Sequence, residues 1–265
     1  MDKLLLPSKI KFKKGSSVNE AVLEMEPAYH GYGITIGNAL RRVLLSSLPG
    51  AAITSVKITG ATHEFTTIPN VKEDILEIIL NLKQVRLRIH SDEPVRLILD
   101  VTGEKKVTAG DIQANADVEI VNPNSHIATL TDKKSEFKLE LIAEKGRGYR
   151  VTEEKESAKL ESGMIAIDAI FTPIRNVAID VENVRVGQIT NFDKLSLTVE
   201  TDGTLTPQEA VSKAAQLLID NFSLLTGDIS DSEEEVEVTE EEVTPEETEE
   251  EASESEEVVD EESAK

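Results

Sequence analysis

The sequence predicts an α+β fold, and three patterns predict it. Apolar and polar residues alternate over many short stretches between Ile10 and Glu200, the period of half-buried strands. Three stretches, 36–48, 71–83 and 207–226, instead carry apolar residues at helical spacing. Beyond Asp228 the chain is mostly Glu, Ser, Thr and Val, with one proline. That composition buries too little apolar surface to offset the entropy of ordering, so 229–265 is expected to be a disordered acidic tail.

Composition narrows the class. At 265 residues the chain has room for one or two domains. It contains no cysteine, which excludes disulfides and thiolate metal sites and fits a reducing cytoplasm. No run of about 18 apolar residues exists to span a membrane. The opening Met1-Asp2-Lys3-Leu4-Leu5-Leu6-Pro7 lacks the apolar core and small-residue cleavage site of a secretory signal. The expected location is therefore cytoplasmic. The net charge of −23 is concentrated: residues 231–265 hold 19 Asp+Glu and one Lys, and the remainder holds 32 acidic and 27 basic residues. The body is mildly acidic and the excess is a tail.

Taken in order, 10–14 and 18–26 read as strands around a Gly15-Ser16-Ser17 turn. The rest of the chain is organised around the stretch 26–50. Pro27, Gly31 and Gly33 mark a turn, and Thr35 is expected to cap a helix through its hydroxyl. Ile36, Ala39, Leu40, Val43 and Leu44 form an apolar stripe, Asn38, Arg41, Arg42 and Leu45 a second face, and Pro49-Gly50 stops the run. Next come a β-branched strand at 53–59 and a second helix at 71–83. Val71, Ile75, Ile78, Ile79 and Leu82 line one face of that helix with Leu76 and Leu80 beside them, a band wide enough for burial on more than one side.

Period-two alternation appears at 85–89 and 95–101, with shorter strands at 117–121, 127–130 and 137–142. Residues 144–162 are charged and irregular and read as an exposed loop. Strands are expected again at 164–171, 177–186 and 195–200. Thr206-Pro207-Gln208-Glu209 starts a helix with a capping box and a first-turn proline. Val211, Ala214, Ala215, Leu218, Phe222 and Leu225 then form one stripe, which suits either a core or a dimer interface.

The motifs argue against an active site. Gly31-x-Gly33-x-x-x-Gly37 lacks dinucleotide spacing and a βαβ setting, so its glycines read as turn residues. His30, His63, His90 and His126 are isolated, with no pair at metal-ligand spacing. There is no P-loop and no G-x-S-x-G elbow. Arg41-Arg42 reads as a solvated face or as an interface anchor. Lys9, Lys11 and Lys13 alternate with Ile10 and Phe12, which fits a half-buried edge strand better than a nucleic-acid patch.

One long pattern carries a resemblance. Gly31-Tyr32-Gly33-x-Thr35-x-Gly37-Asn38-Ala39-Leu40-Arg41-Arg42-x-Leu44-Leu45-Ser46-Ser47-x-Pro49-Gly50 resembles the signature of the bacterial DNA-directed RNA polymerase α subunit. Further blocks resemble that family at 60–75, at 78–83, at Asn183–Gln188 with Asp193-Lys194-Leu195, and at Thr201-Asp202-Gly203 with Pro207-x-Glu209-Ala210. Val184, Asn191 and Phe192 depart from it in places where threonine, aspartate and tyrosine are expected.

The resemblance implies a dimerisation domain at 1–50 and 170–228, a mostly β insert domain at 51–169, and a tail at 229–265. It implies a homodimer that is the platform for assembly of the β and β′ subunits, a non-catalytic member of a nucleotidyltransferase. Ile36, Ala39, Leu40, Val43, Leu44, Val211, Ala214, Ala215, Leu218 and Phe222 are the implied dimer contacts. Arg41, Arg42, His63, Glu64 and Phe65 are the implied β contacts, and Lys83 and Ile167 are weaker implied β′ contacts. No cofactor is expected on this chain, because the resemblance assigns the catalytic Mg²⁺ to β′. Family members usually continue into a DNA-binding C-terminal domain. An acidic tail stands there instead, and its charge opposes DNA binding. An acidic scaffold using the tail for basic partners is a second reading, and an enzyme of another kind a third without a supporting constellation.

Overall fold

A computed structural model describes residues 6–61, 63–113, 115–152, 161 and 163–226. The tail expected at 229–265, and residues 153–160 and 162 of the loop expected at 144–162, lie outside the described residues. In the first part of the chain, β1 (Lys9–Lys14), β2 (Glu20–Ala28), α1 (Tyr32–Ser46), β3 (Pro49–Ile58), α2 (Ile75–Leu82), β4 (Leu87–Ile89), β5 (Val95–Thr102) and β6 (Lys106–Thr108) succeed one another. Then come β7 (Val118–Ile120), β8 (His126–Thr129), β9 (Glu136–Arg147), β10 (Tyr149–Arg150), β11 (Ile165–Ala166), β12 (Ala169–Ile170), β13 (Ile174–Val186), β14 (Ile189–Thr201) and α3 (Pro207–Thr226).

The two ends of the chain build one sheet, ordered β1-β2-β14-β13 and antiparallel throughout. α1 lies across β13 and β14. Leu23, Leu40, Leu44, Leu48, Leu197 and Ala214 form the heart of this core. Leu44 alone, with no exposed surface, contributes about 1.5–3 kcal/mol by leaving water. The middle of the chain builds a second sheet, ordered β11-β3-β9-β5. β5 alternates buried and exposed residues without a break, and α2 adds Ile75, Ile78 and Leu82 to a core with Leu99, Phe137 and Leu141.

β1 departs from expectation. Ile10 pairs with Met25 and Phe12 with Leu23, so both share the face of the sheet that α1 covers. Yet every β1 residue is exposed, because β1 is the edge strand and α1 sits over the opposite edge. The strand expected to be half-buried keeps its apolar side uncovered. On its other side Lys9 and Lys13 pair with Glu26 and Glu24.

Other boundaries shift for local reasons. α2 starts at Ile75 because the Asp74 carboxylate accepts from the Glu77 amide at 2.7 Å, while Val71 bridges to Leu130. Leu76 and Leu80 stay exposed on α2. β9 runs through charged residues to Arg147 because it pairs with β3 as far as Pro49, and there Glu144 bonds Arg150 and Thr54. The alternation at 164–171 splits into β11 and β12. β6 and a 3₁₀ turn at Ala109–Asp111 have no clear sequence signal.

Candidate functional site

α1 and its surroundings hold most of the candidate residues, and glycines decide how α1 is seated. Gly31 has φ 85°, a left-handed value that reverses the chain into the helix at little cost for a residue without Cβ. A Cβ at Gly33 would stand 2.9 Å from Asp193 Cβ, and one at Gly37 would stand 3.0 Å from Leu195 Cδ1. Both glycines therefore let α1 lie directly on β13 and β14. The cap comes from far away in sequence. Asp193, only 3% exposed, accepts from the amides of Gly31 at 2.9 Å and Gly33 at 3.1 Å. This corrects the expected role of Thr35: its hydroxyl donates to the Gly31 carbonyl at 3.1 Å, inside the first turn. A lone acid within an apolar strand pattern, opposite two glycines, is the signal that points to Asp193.

Burial divides the expected dimer contacts. Leu40, Leu44, Val211 and Ala214 lie inside the chain's own core, none more than 7% exposed, so their side chains have little surface to offer a second copy. Ile36, Ala39, Val43, Ala215 and Leu218 are the remainder of the two stripes, and Ile36, Val43, Ala215 and Leu218 pack half-buried around that core. Phe222 is exposed, together with Ile219, Leu224 and Leu225 on the last turns of α3. The start of α3 is fixed as expected: Thr206 N donates to Glu209 Oε2 at 3.0 Å and Glu209 N to Thr206 Oγ1 at 3.3 Å.

Arg41 and Arg42 are exposed on α1, and neither side chain has an ion-pair or hydrogen-bond partner among the described residues. His63 and Phe65 are exposed and Glu64 half-buried. Arg41 and Arg42 precede β3 in the chain and residues 63–65 follow it. They flank β3, whose ten residues span about 30 Å at roughly 3.3 Å per residue.

Lys83 is the C-cap of α2, with Nζ 3.1 Å from Asp168 Oδ2. That hydrogen bond, with the Thr152 amide, holds the Asp168 carboxyl below its usual range. Ile167 is 2% exposed and packs in the core of the second sheet with Leu99 and Leu141, which corrects its expected role: a partner cannot reach this side chain. Exposed Tyr149 and Ile170, paired across β10 and β12 near Asp168, stand at the surface there.

Two other features have structural explanations. Glu73 is buried and accepts from His126 Nε2 at 2.9 Å, Thr129 N at 2.6 Å and Thr129 Oγ1 at 2.8 Å. Burial alone would raise its pKa, but these bonds outweigh it and hold the carboxyl below 4.5. A cavity of about 220 Å³ is lined by Pro49, Ala51, Leu87, Ile89, Arg88, Lys145 and Lys213. Arg88 and Lys145 are already bonded to Glu119 and Asp92. No cluster of three or more His, Asp or Glu that could hold a metal occurs among the described residues. No helix among them is long and apolar enough to cross a membrane.

Comparison with known proteins places this geometry. Residues 56–172 match the family model described as the RNA polymerase Rpb3/RpoA insert domain. Curated relatives named DNA-directed RNA polymerase subunit alpha match most of the chain. The relative from Oceanobacillus iheyensis is 50% identical over 214 residues, covering 81% of this chain and 68% of its own length. That from Symbiobacterium thermophilum is 52% identical over 214 residues, covering 81% and 67%. That from Moorella thermoacetica is 51% identical over 216 residues, covering 82% and 69%. About half of the aligned positions are identical over roughly four fifths of the chain, and the chain belongs to the DNA-directed RNA polymerase subunit alpha family.

Proposed function

We propose that this chain acts in DNA-templated transcription as a homodimeric platform on which the β and β′ subunits of RNA polymerase assemble. Residues 1–50 and 170–228 are assigned to dimerisation and 51–169 to the insert. The observation that carries the dimer is uncovered apolar surface. Ile10 and Phe12 lie bare on the helix-covered face of the sheet, and Ile219, Phe222, Leu224 and Leu225 lie bare on α3. Contiguous exposed apolar surface marks an interaction site. A two-fold axis would let each copy cover the other's patch.

Arg41 and Arg42 are assigned to β, with Phe65 and its neighbours as a second and separate contact. The Lys83–Asp168 pair and the side chains around it are assigned to β′. Catalysis and its Mg²⁺ are assigned to β′, so this chain binds no cofactor and contributes no reacting group. The net charge of −23 argues against sequence-specific DNA binding by the chain itself. Size-exclusion chromatography with light scattering, followed by co-expression with β and β′, tests the reading. A dimer that recovers both large subunits supports it, and a monomer that recovers neither refutes it.

A further inference from the structure

The arginines of this chain fall into two groups. Arg86, Arg88, Arg96 and Arg150 each pair with an acid, and Arg185 donates to the Gly187 carbonyl. Arg41, Arg42, Arg147 and Arg175 have no partner among the described residues. Arg175 sits within electrostatic reach of Arg86 beside Asp202. The other three converge on the end of α1.

Strand pairing produces that convergence. β3 follows α1 directly, and its first residue, Pro49, pairs with Arg147 at the end of β9. A Cβ on the adjacent Gly148 would stand 3.9 Å from the Ser46 carbonyl oxygen. Gly148 O in turn accepts from Phe171 N at 2.9 Å, and Thr172 Oγ1 donates to Leu45 O at 3.3 Å. Arg147 therefore emerges beside the last turn of α1. Arg42 lies four residues before Ser46, about 6 Å along the helix axis, and the Ser46 hydroxyl donates to its carbonyl at 2.8 Å. All three arginines are exposed, and Leu45 adds an exposed apolar side chain to the same turn.

We propose that Arg147 is a third arginine of the α1 docking surface and that this surface takes a carboxylate-bearing face of the β subunit. The inference rests on the assignment of Arg41 and Arg42 to β. Unpaired guanidinium forks match carboxylates bidentately, and arginine beside an apolar anchor is a common composition for an interface hot spot. Phosphate would fit the same forks, but the exposed Leu45 beside them offers an apolar contact that a protein surface answers and a phosphate backbone does not, which favours a protein acid.

The test is the affinity of the full-length chain for purified β, measured for wild type, Arg42→Ala, Arg147→Ala, Arg147→Gln and, as a paired-arginine control, Arg96→Ala. Arg147→Ala and Arg147→Gln are each expected to weaken binding at least tenfold and to flatten its salt dependence, with Arg96→Ala at wild-type affinity. If Arg147→Ala unfolds, Arg147→Gln decides the matter alone. Wild-type affinity for the Arg147 variants alongside lost binding by Arg42→Ala overturns this inference and leaves the platform reading standing. Wild-type affinity for Arg42→Ala as well overturns both. Unchanged β affinity with reduced retention on duplex DNA reassigns Arg147 to nucleic acid and overturns the inference too.

Discussion

Asp193 Oδ2 lies 3.1 Å from the amide nitrogen of Gly33, a residue 160 positions earlier in the chain. The same oxygen accepts from Gly31 N at 2.9 Å. One buried carboxylate thus caps α1 and ties the first helix to β14. This explains why the signature pattern needs glycine at both positions: Gly31 makes the left-handed turn, and Gly33 leaves room for the acid. Replacing Asp193 with Ala leaves two amides without their acceptor and is expected to cost about 1–2 kcal/mol. Urea melts followed by circular dichroism read the loss. An unchanged midpoint would mean that water or another group caps the helix equally well.

Among the described glycines, Gly50 has the least room for a Cβ. A Cβ there would overlap the Phe171 carbonyl oxygen, a backbone atom that cannot rotate away. Gly50→Ala is expected to cost at least the roughly 1–3 kcal/mol typical of overpacking, because β3 and the chain at Phe171 must separate. Gly60→Ala, with open space around its Cβ but φ 90°, is expected to lose less. Thermal melts of the two variants rank them.

The exposed end of α3 tests dimerisation without touching the core. Ile219→Glu with Phe222→Glu alters two exposed side chains and is expected to leave the monomer folded. Light scattering should then report a mass near 29.0 kDa instead of twice that value. An intact dimer would move the interface away from α3.

Glu73 sets an acid limit. Its folded pKa lies below 4.5, so its contribution is fully present above that value and is lost as pH falls through the folded pKa. Stability is therefore expected to drop below about pH 4.5 and to drop less steeply in Glu73→Gln. At neutral pH that variant is expected to be less stable by about 1–3 kcal/mol, since it replaces a buried acceptor of three bonds. Denaturant melts across the acid range, from roughly pH 3 to neutrality, measure both effects.

The local parts of this architecture are legible in the sequence. The capping box at Thr206 and Glu209 involves residues three apart, and the β5 alternation is a property of one strand, so both can be read from their own segments. The start of α1 cannot be read that way, because its cap is supplied by Asp193 while Thr35 is merely the nearest hydroxyl. Ile167 misleads for a different reason: its contact role came from the resemblance, while its place on the apolar side of the alternation with Ile165, Ala169 and Phe171 agrees with its burial. The exposure of Arg41 and Arg42 follows from helical spacing. The company of Arg147 does not, because only the pairing of β3 with β9 brings it to α1.

The central claim is that this chain is an assembly platform, and Arg42→Ala tests it most directly. The measurement is co-purification of tagged wild type and Arg42→Ala with β and β′, with the recovered proteins identified by mass. The account predicts two copies of the wild-type chain for each β and β′. For Arg42→Ala it predicts an intact dimer that has lost β, a deficit of roughly 2–5 kcal/mol from leaving the partner's charges unpaired. Recovery of β by Arg42→Ala at the wild-type level, or of small basic proteins in place of β and β′ by the wild type, would contradict it.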